Sequence, residues 1–193
     1  MNWGEIKSAV REYTHRSDVS DALMAVFLEI AEQRIYHGEL NTPKLRCAAM
    51  VKTAVLVNGN RPTGFLEAVK IYPSGSPNLP LHYTTLASMP EQREKYSWDG
   101  ETLVLSDDQA FPVDMIYHGK FDPLVSDGDS NWLSANAPAI YITAIGVEVG
   151  DWMRDPAFAQ SQAAKYTSAC NSLTSSDKAA SMSGSPLVIR RIP

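Results

Sequence analysis

The sequence predicts an α+β fold: a mainly helical bundle of two N-terminal and two C-terminal helices, with a β-rich insertion and an extended C-terminal tail. Three observations predict it. Apolar residues recur at three- and four-residue spacing from Ile6 to Ile35, and again from Pro138 to Leu173. Between these stretches, over about residues 41–134, runs rich in β-branched and aromatic residues alternate with clusters of Gly, Pro, Asn and Ser. After Leu173 the chain turns to a Ser/Ala-rich stretch, TSSDKAASMSGS, and then to PLVIRRIP. The expected organisation is one domain over residues 1–175 carrying the insertion, then a flexible linker and extended tail over 176–193.

Ile6, Ala9, Val10 and Tyr13 make a short amphipathic first helix. Ser17 and Asp18 offer a cap for a second, whose stripe is Leu23, Val26, Phe27, Ile30, Ala31, Arg34 and Ile35. Gly38 suits its end, and the two helices read as a hairpin. Strand candidates follow in AMVKTAVLV, FLEAVKIY, ETLVLS and FPVDMIYHG, with Asn58-Gly59 a good hairpin turn and a short helix over Met89–Tyr96. Pro138 suits a first helical turn. Beyond it, Tyr141, Ala144, Ile145, Glu148 and Trp152 form one stripe and Ile142, Val149 and Met153 another, so this helix is expected to be buried between neighbours. Gly146 and Gly150 permit close approach of another helix. Asp155-Pro156 breaks the chain before a last helix with Ala159, Ala163, Tyr166, Cys170 and Leu173 inward. Tyr141, Ile145, Gly146, Val149, Trp152 and Tyr166 are the candidates for core or intersubunit packing.

Composition narrows the function. The 193 residues, 44% hydrophobic, can build a genuine core. A net charge of -5, with only Arg190 and Arg191 adjacent, argues against broad affinity for nucleic acid or anionic membrane. Cys47 and Cys170 are read as free buried thiols in a reducing compartment, although they could meet in space. The N-terminus lacks the apolar stretch of a secretory signal, and the longest uncharged run, Ser130–Val147, meets Glu148 too early to span a bilayer. The expectation is a soluble protein made in a cytoplasm.

Motifs for chemistry are sparse. The phosphate-binding, zinc and acyl-transfer patterns are missing, and His15, His37, His82 and His118 are isolated. Asp127-Gly128-Asp129-Ser130-Asn131 imitates the start of a calcium loop, but Trp132 and Pro138 stand where Gly and Glu are required, so it reads as a turn. Glu29 and Glu32 could flank a glycan bond but read more simply as a solvated face, as does Asp107-Asp108. No catalytic residue, metal site or cofactor is expected.

One ordered pattern is more specific. Pro138-Ala139-Ile140-Tyr141, Ala144, Glu148, Trp152, Asp155-Pro156, Ala159, Tyr166 and Leu173 resemble the paired helices of the head-to-tail adaptor proteins of short-tailed bacteriophages. FLEIAEQRIYHGEL, with Glu32, Arg34 and Ile35, resembles that family's second helix. LHYTTLASMPEQREKYSWDG, ETLVLS and FPVDMIYHGKFDPL resemble its central region. The likeness runs along essentially the whole chain, in order. It implies a structural virion protein of the tail or neck, not an enzyme. About twelve copies would form a ring beneath the portal protein, extend the DNA channel and receive nozzle or tail-fibre proteins. It also implies a portal-binding tail, here Pro186, Leu187, Val188, Ile189, Arg190, Arg191 and Ile192.

Burying the four aliphatic side chains of that tail contributes roughly 1.5–3 kcal/mol each, while ordering its backbone costs roughly 1–2 kcal/mol per residue. One tail therefore binds weakly, and a ring of tails binds well through effective concentration. Residues 73–80 and 126–134 are candidate nozzle-contacting loops, with Trp132 as an aromatic anchor. The rival readings are a virion peptidoglycan hydrolase using Glu29 and Glu32, and a small-molecule binding module on the β insertion.

Overall fold

The computed structural model describes residues 1–39, 42–91 and 93–183. These form two units, 1–48 with the segment from 122 onward, and 49–121. The first is helical. In α1 (Trp3–Thr14) the Asn2 side chain accepts the Glu5 N–H while the Glu5 carboxylate accepts the Asn2 N–H, a reciprocal capping box. Trp3, Ile6 and Val10 are buried as their spacing predicts. Tyr13, expected on the same stripe, is exposed, and Thr14 turns inward, donating to the Val10 carbonyl at 2.8 Å.

Helix α2 (Asp21–His37) starts later than the Ser17/Asp18 cap expected for it. Ser20 is its N-cap and accepts the Leu23 N–H, while Asp18 is held by Arg16. The buried face is Met24, Phe27, Leu28, Ala31, Arg34, Ile35 and Tyr36. Val26 and Ile30, placed inward by the sequence reading, are 49% and 40% exposed. The run from Ala22 to Leu28 is apolar all round, so periodicity alone does not choose the buried sector. Helices α1 and α2 each lie on α4 rather than pairing along their lengths as a hairpin.

After α3 (Trp132–Asn136), α4 (Pro138–Trp152) opens on its proline and is buried on nearly all sides. Helix α5 (Pro156–Met182) is capped by Asp155, whose side chain accepts the Phe158 N–H at 3.0 Å, and runs for 27 residues. Residues 174–182 are thus helical rather than the linker read from their Ser/Ala composition. The stretch holds no Gly or Pro, and its hydroxyls bond back along the helix, Thr174 to the Cys170 carbonyl and Ser181 to that of Lys178. Beyond Cys170 the helix is mostly solvent-exposed, with the Asp177 carboxylate accepting the Ala48 N–H.

The second unit holds β1 (Val51–Leu56), β2 (Phe65–Pro73), β3 (His82–Tyr83), β4 (Lys95–Asp99), β5 (Thr102–Leu105) and β6 (Val113–Gly119). One sheet is antiparallel with order β1-β6-β2; the other has order β3-β4-β5. Asn58-Gly59 therefore does not close a β1–β2 hairpin, because β6 lies between those strands, with Val51 opposite His118 and Ile71 opposite Met115. The Gly59 carbonyl instead accepts the Leu103 N–H at 2.7 Å. A 3-10 helix over Leu86–Glu91 stands where a helix over Met89–Tyr96 was expected; Pro90 removes a donor, and Tyr96 lies in β4. The core gathers Leu56, Ile71, Leu81, Leu103, Val113, Met115 and Tyr117, with Phe65, Tyr96 and Trp98 against it. Among the described residues, no helix is long and apolar enough to cross a membrane.

Candidate functional site

The helical unit is braced by charges that the helices bring inward. Arg34 of α2, 5% exposed, meets Glu148 of α4 at 2.5 Å and Glu39 at 2.9 Å, and donates to the Ala144 carbonyl at 3.2 Å. Burial pulls the Arg34 pKa down, but its two carboxylate partners together outweigh that and hold it above the ordinary value. Burial pushes the Glu148 carboxyl up against the pull of Arg34. Lys7 of α1, also 5% exposed, is raised by Asp127 and Asp21, which it meets at 2.6 and 2.7 Å. Asn131 donates to the Tyr141 hydroxyl at 3.0 Å and to the Asp122 carbonyl at 2.8 Å, and burial pushes the Tyr141 hydroxyl up to about 12. These groups are matched to one another. Their chemistry is architectural.

The candidate packing residues separate into two kinds. Tyr141, Ile145, Val149 and Tyr166 are wholly buried inside the chain. A Cβ at Gly146 would press on Gln162 at 3.2 Å, and one at Gly150 would lie 2.8 Å from the Ala159 backbone nitrogen, so both glycines serve the α4–α5 contact of a single chain. Trp152 differs: it is 41% exposed, packs edge-on to Phe27 at 6.4 Å, and lies under the Arg16 guanidinium at 4.7 Å. Trp132 is 38% exposed at the start of α3. The tail residues Pro186, Leu187, Val188, Ile189, Arg190, Arg191 and Ile192 lie outside the described residues.

The loops contrast. Residues 73–80 are largely exposed and carry Leu79 outward. In the calcium-like stretch, Asp129 accepts the Val125 and Ser126 N–H groups, which hold its carboxyl below the usual range. The Asp127 and Asp129 carbonyls accept the Gly4 and Trp3 N–H groups at 2.9 Å. The acidic residues that imitate a cation loop are thus occupied in docking α1. Among the described residues, no group of three or more His, Cys, Asp or Glu is placed to hold a metal ion. Cys47 and Cys170 are buried and not joined in a disulfide, and burial pushes the Cys170 thiol up to about 11.

Surfaces missed by the sequence reading are apolar. In β1 the side chains alternate, so Val51 and Val55 point outward, and with Val57 and Val69 they are 45–65% exposed. On the helical unit Val26, Ile30 and Val125 are exposed. Periodicity identified the apolar residues, but not which of them the chain leaves uncovered.

No curated protein matches the sequence significantly. The family model described as SU10 adaptor protein matches residues 1–190, which takes in both units. The chain therefore belongs to the SU10 adaptor protein family and is a phage head-to-tail adaptor, a structural component of the virion.

Proposed function

We propose that the protein assembles as a ring of about twelve copies between the portal and the tail nozzle, extending the channel through which DNA passes. Family membership over residues 1–190 is the observation that carries this reading. Two features support it. A net charge of -5 suits a channel component that lets DNA slide without gripping it. The exposed Trp132, Trp152, Val26 and Ile30 of the helical unit offer apolar contact area. Residues 186–192 join the portal, with Arg190 and Arg191 meeting acidic groups there. The loops at 73–80 and 126–134, including Trp132, receive nozzle or fibre proteins.

Size-exclusion chromatography of the protein with purified portal rings tests the assembly. A portal-dependent complex of about a dozen copies is expected, and deletion of residues 184–193 should weaken it at least tenfold. Virions assembled without this protein that still join head to tail and keep their genome would refute the reading.

A further inference from the structure

The strand unit protects its sheet edges unequally. An open edge presents unpaired N–H and C=O groups, and folded proteins blunt it with bulges, charge, shortness or cover. Strand β2 shifts register at Phe65/Glu67 and Ala68/Lys70, and its Ile71 carbonyl accepts the Leu81 N–H at 2.8 Å. Strand β3 is two residues long, and β5 is bonded on its far side by Gly59, whose carbonyl accepts the Leu103 N–H. Strand β1 has none of these devices. Its six residues pair with β6 in unbroken register and make no backbone hydrogen bond to any other described segment. Its one charge is drawn away, because the Lys52 ammonium donates to the Lys120 carbonyl at 2.8 Å. The outward row is Val51, Thr53 and Val55, with Val51 45% and Val55 62% exposed.

We propose that β1 pairs antiparallel with β1 of a second copy, about a two-fold axis at Thr53. Residues opposite each other in an antiparallel pair share a face, and the outward row V-x-T-x-V reads the same from either end. With Thr53 opposite Thr53 of the second copy, each Val51 lies opposite a Val55, and each Lys52 opposite an Ala54. Thr–Thr is a favourable cross-strand pair, and the valines cover one another's apolar surface. Other registers fit less well. A slip of one residue sets the outward valines against the inward row. A slip of two in one direction sets Lys52 against Lys52, like charge on like. In the other direction it loses the Thr53 pair and sets Val51 against Val57, beyond the end of the strand. Six residues make an edge about 20 Å long, which alone falls short of the roughly 1,200 Å² of a stable interface. The pair is therefore weak and reversible. A closed ring joins its copies head to tail, so this two-fold contact is not one of its joints and belongs to free copies.

Sedimentation velocity of the full-length protein without portal, over a range of concentrations, tests the pairing. A monomer–dimer equilibrium is expected, weakened roughly tenfold or more by Thr53→Lys, which sets like charges against each other at the axis. Val69→Lys, at a 54% exposed position on β2, is the control and should leave the equilibrium unchanged. Thr53→Cys keeps the test open should Thr53→Lys fold poorly. The pairing brings the two Cα atoms to about 4.5–5.5 Å, within reach of a disulfide. Oxidised glutathione should then give a covalent dimer of Thr53→Cys but not of Val69→Cys. A protein that stays monomeric up to millimolar concentration, a dimer untouched by Thr53→Lys, or cross-linking no more efficient at residue 53 than at residue 69 would each overturn β1 as the paired edge.

Discussion

The two units of this adaptor solve the problem of a stable frame in different ways. The helical unit fixes its elements with buried charge: Arg34 between Glu39 and Glu148, and Lys7 between Asp21 and Asp127. The strand unit relies on aliphatic and aromatic packing, with Phe65 stacked on Tyr117 at 5.8 Å and Arg61 over Trp98 at 4.4 Å. A buried ion pair is weak support for stability but strong specification of geometry, because only one arrangement matches all the charges. An apolar core tolerates exchange of side chains if volume is kept. The contrast teaches that the helical unit is the one whose geometry is pinned.

The sharpest way to break that contrast is Arg34→Met. It strands the Glu148 carboxylate and should cost about 3–5 kcal/mol, read as a lowered denaturation midpoint in urea. Adding Glu148→Leu should recover most of the loss; if it does not, the pair itself supplies net stability. A smaller effect is expected from Gly150→Ala. Its Cβ would lie 2.8 Å from the Ala159 nitrogen, forcing α4 and α5 apart at a cost of about 1–3 kcal/mol. Gly128→Ala, with nothing within 4 Å, should leave the thermal midpoint almost unchanged.

A modest effect of another kind is a pH dependence of two signs. Glu148 has a raised pKa when folded, so its contribution to stability is full below the ordinary glutamate value and is lost as pH rises through the raised one. Asp21 and Asp129 have lowered values, so theirs is present above the ordinary value of 3.8 and is lost as pH falls through the lowered ones. Urea titrations from roughly pH 3 to pH 7 should show stability rising through the acid range and then easing. Glu148→Gln, measured in the same series, should remove the easing and leave the acid limb.

Much of this frame was legible in the sequence, because its cues are local. Pro138, Asp155-Pro156 and the small residues facing across α4 and α5 mark those helices without reference to anything distant. What escaped depends on partners far along the chain. Val26 and Ile30 are left exposed because the packed face of α2 is centred on Phe27, Ala31 and Ile35, and insertion of β6 between β1 and β2 overrides the Asn58-Gly59 turn signal. The extension of α5 through residue 182 escaped for another reason: Ser and Ala are neutral enough to suit either helix or coil, so composition alone did not decide. The cavity lined by Glu29 and Glu32 was half visible. Glu29 and Glu32 were singled out for acid–base chemistry, but the apolar wall beside them comes from Leu124 and Val125, about ninety residues onward.

The bond from Arg34 to the Ala144 carbonyl joins residues 110 positions apart, with the entire strand unit coming between them in the chain. On the ribosome, α1 and α2 emerge long before α4 exists to cover them, whereas residues 49–121 are complete as soon as β6 is made. The strand unit is therefore positioned to mature first, and the guanidinium stays hydrated until α4 leaves the exit tunnel. Closure of the helical half is a late event in the life of each nascent copy, which times the burial of that charge to the end of synthesis.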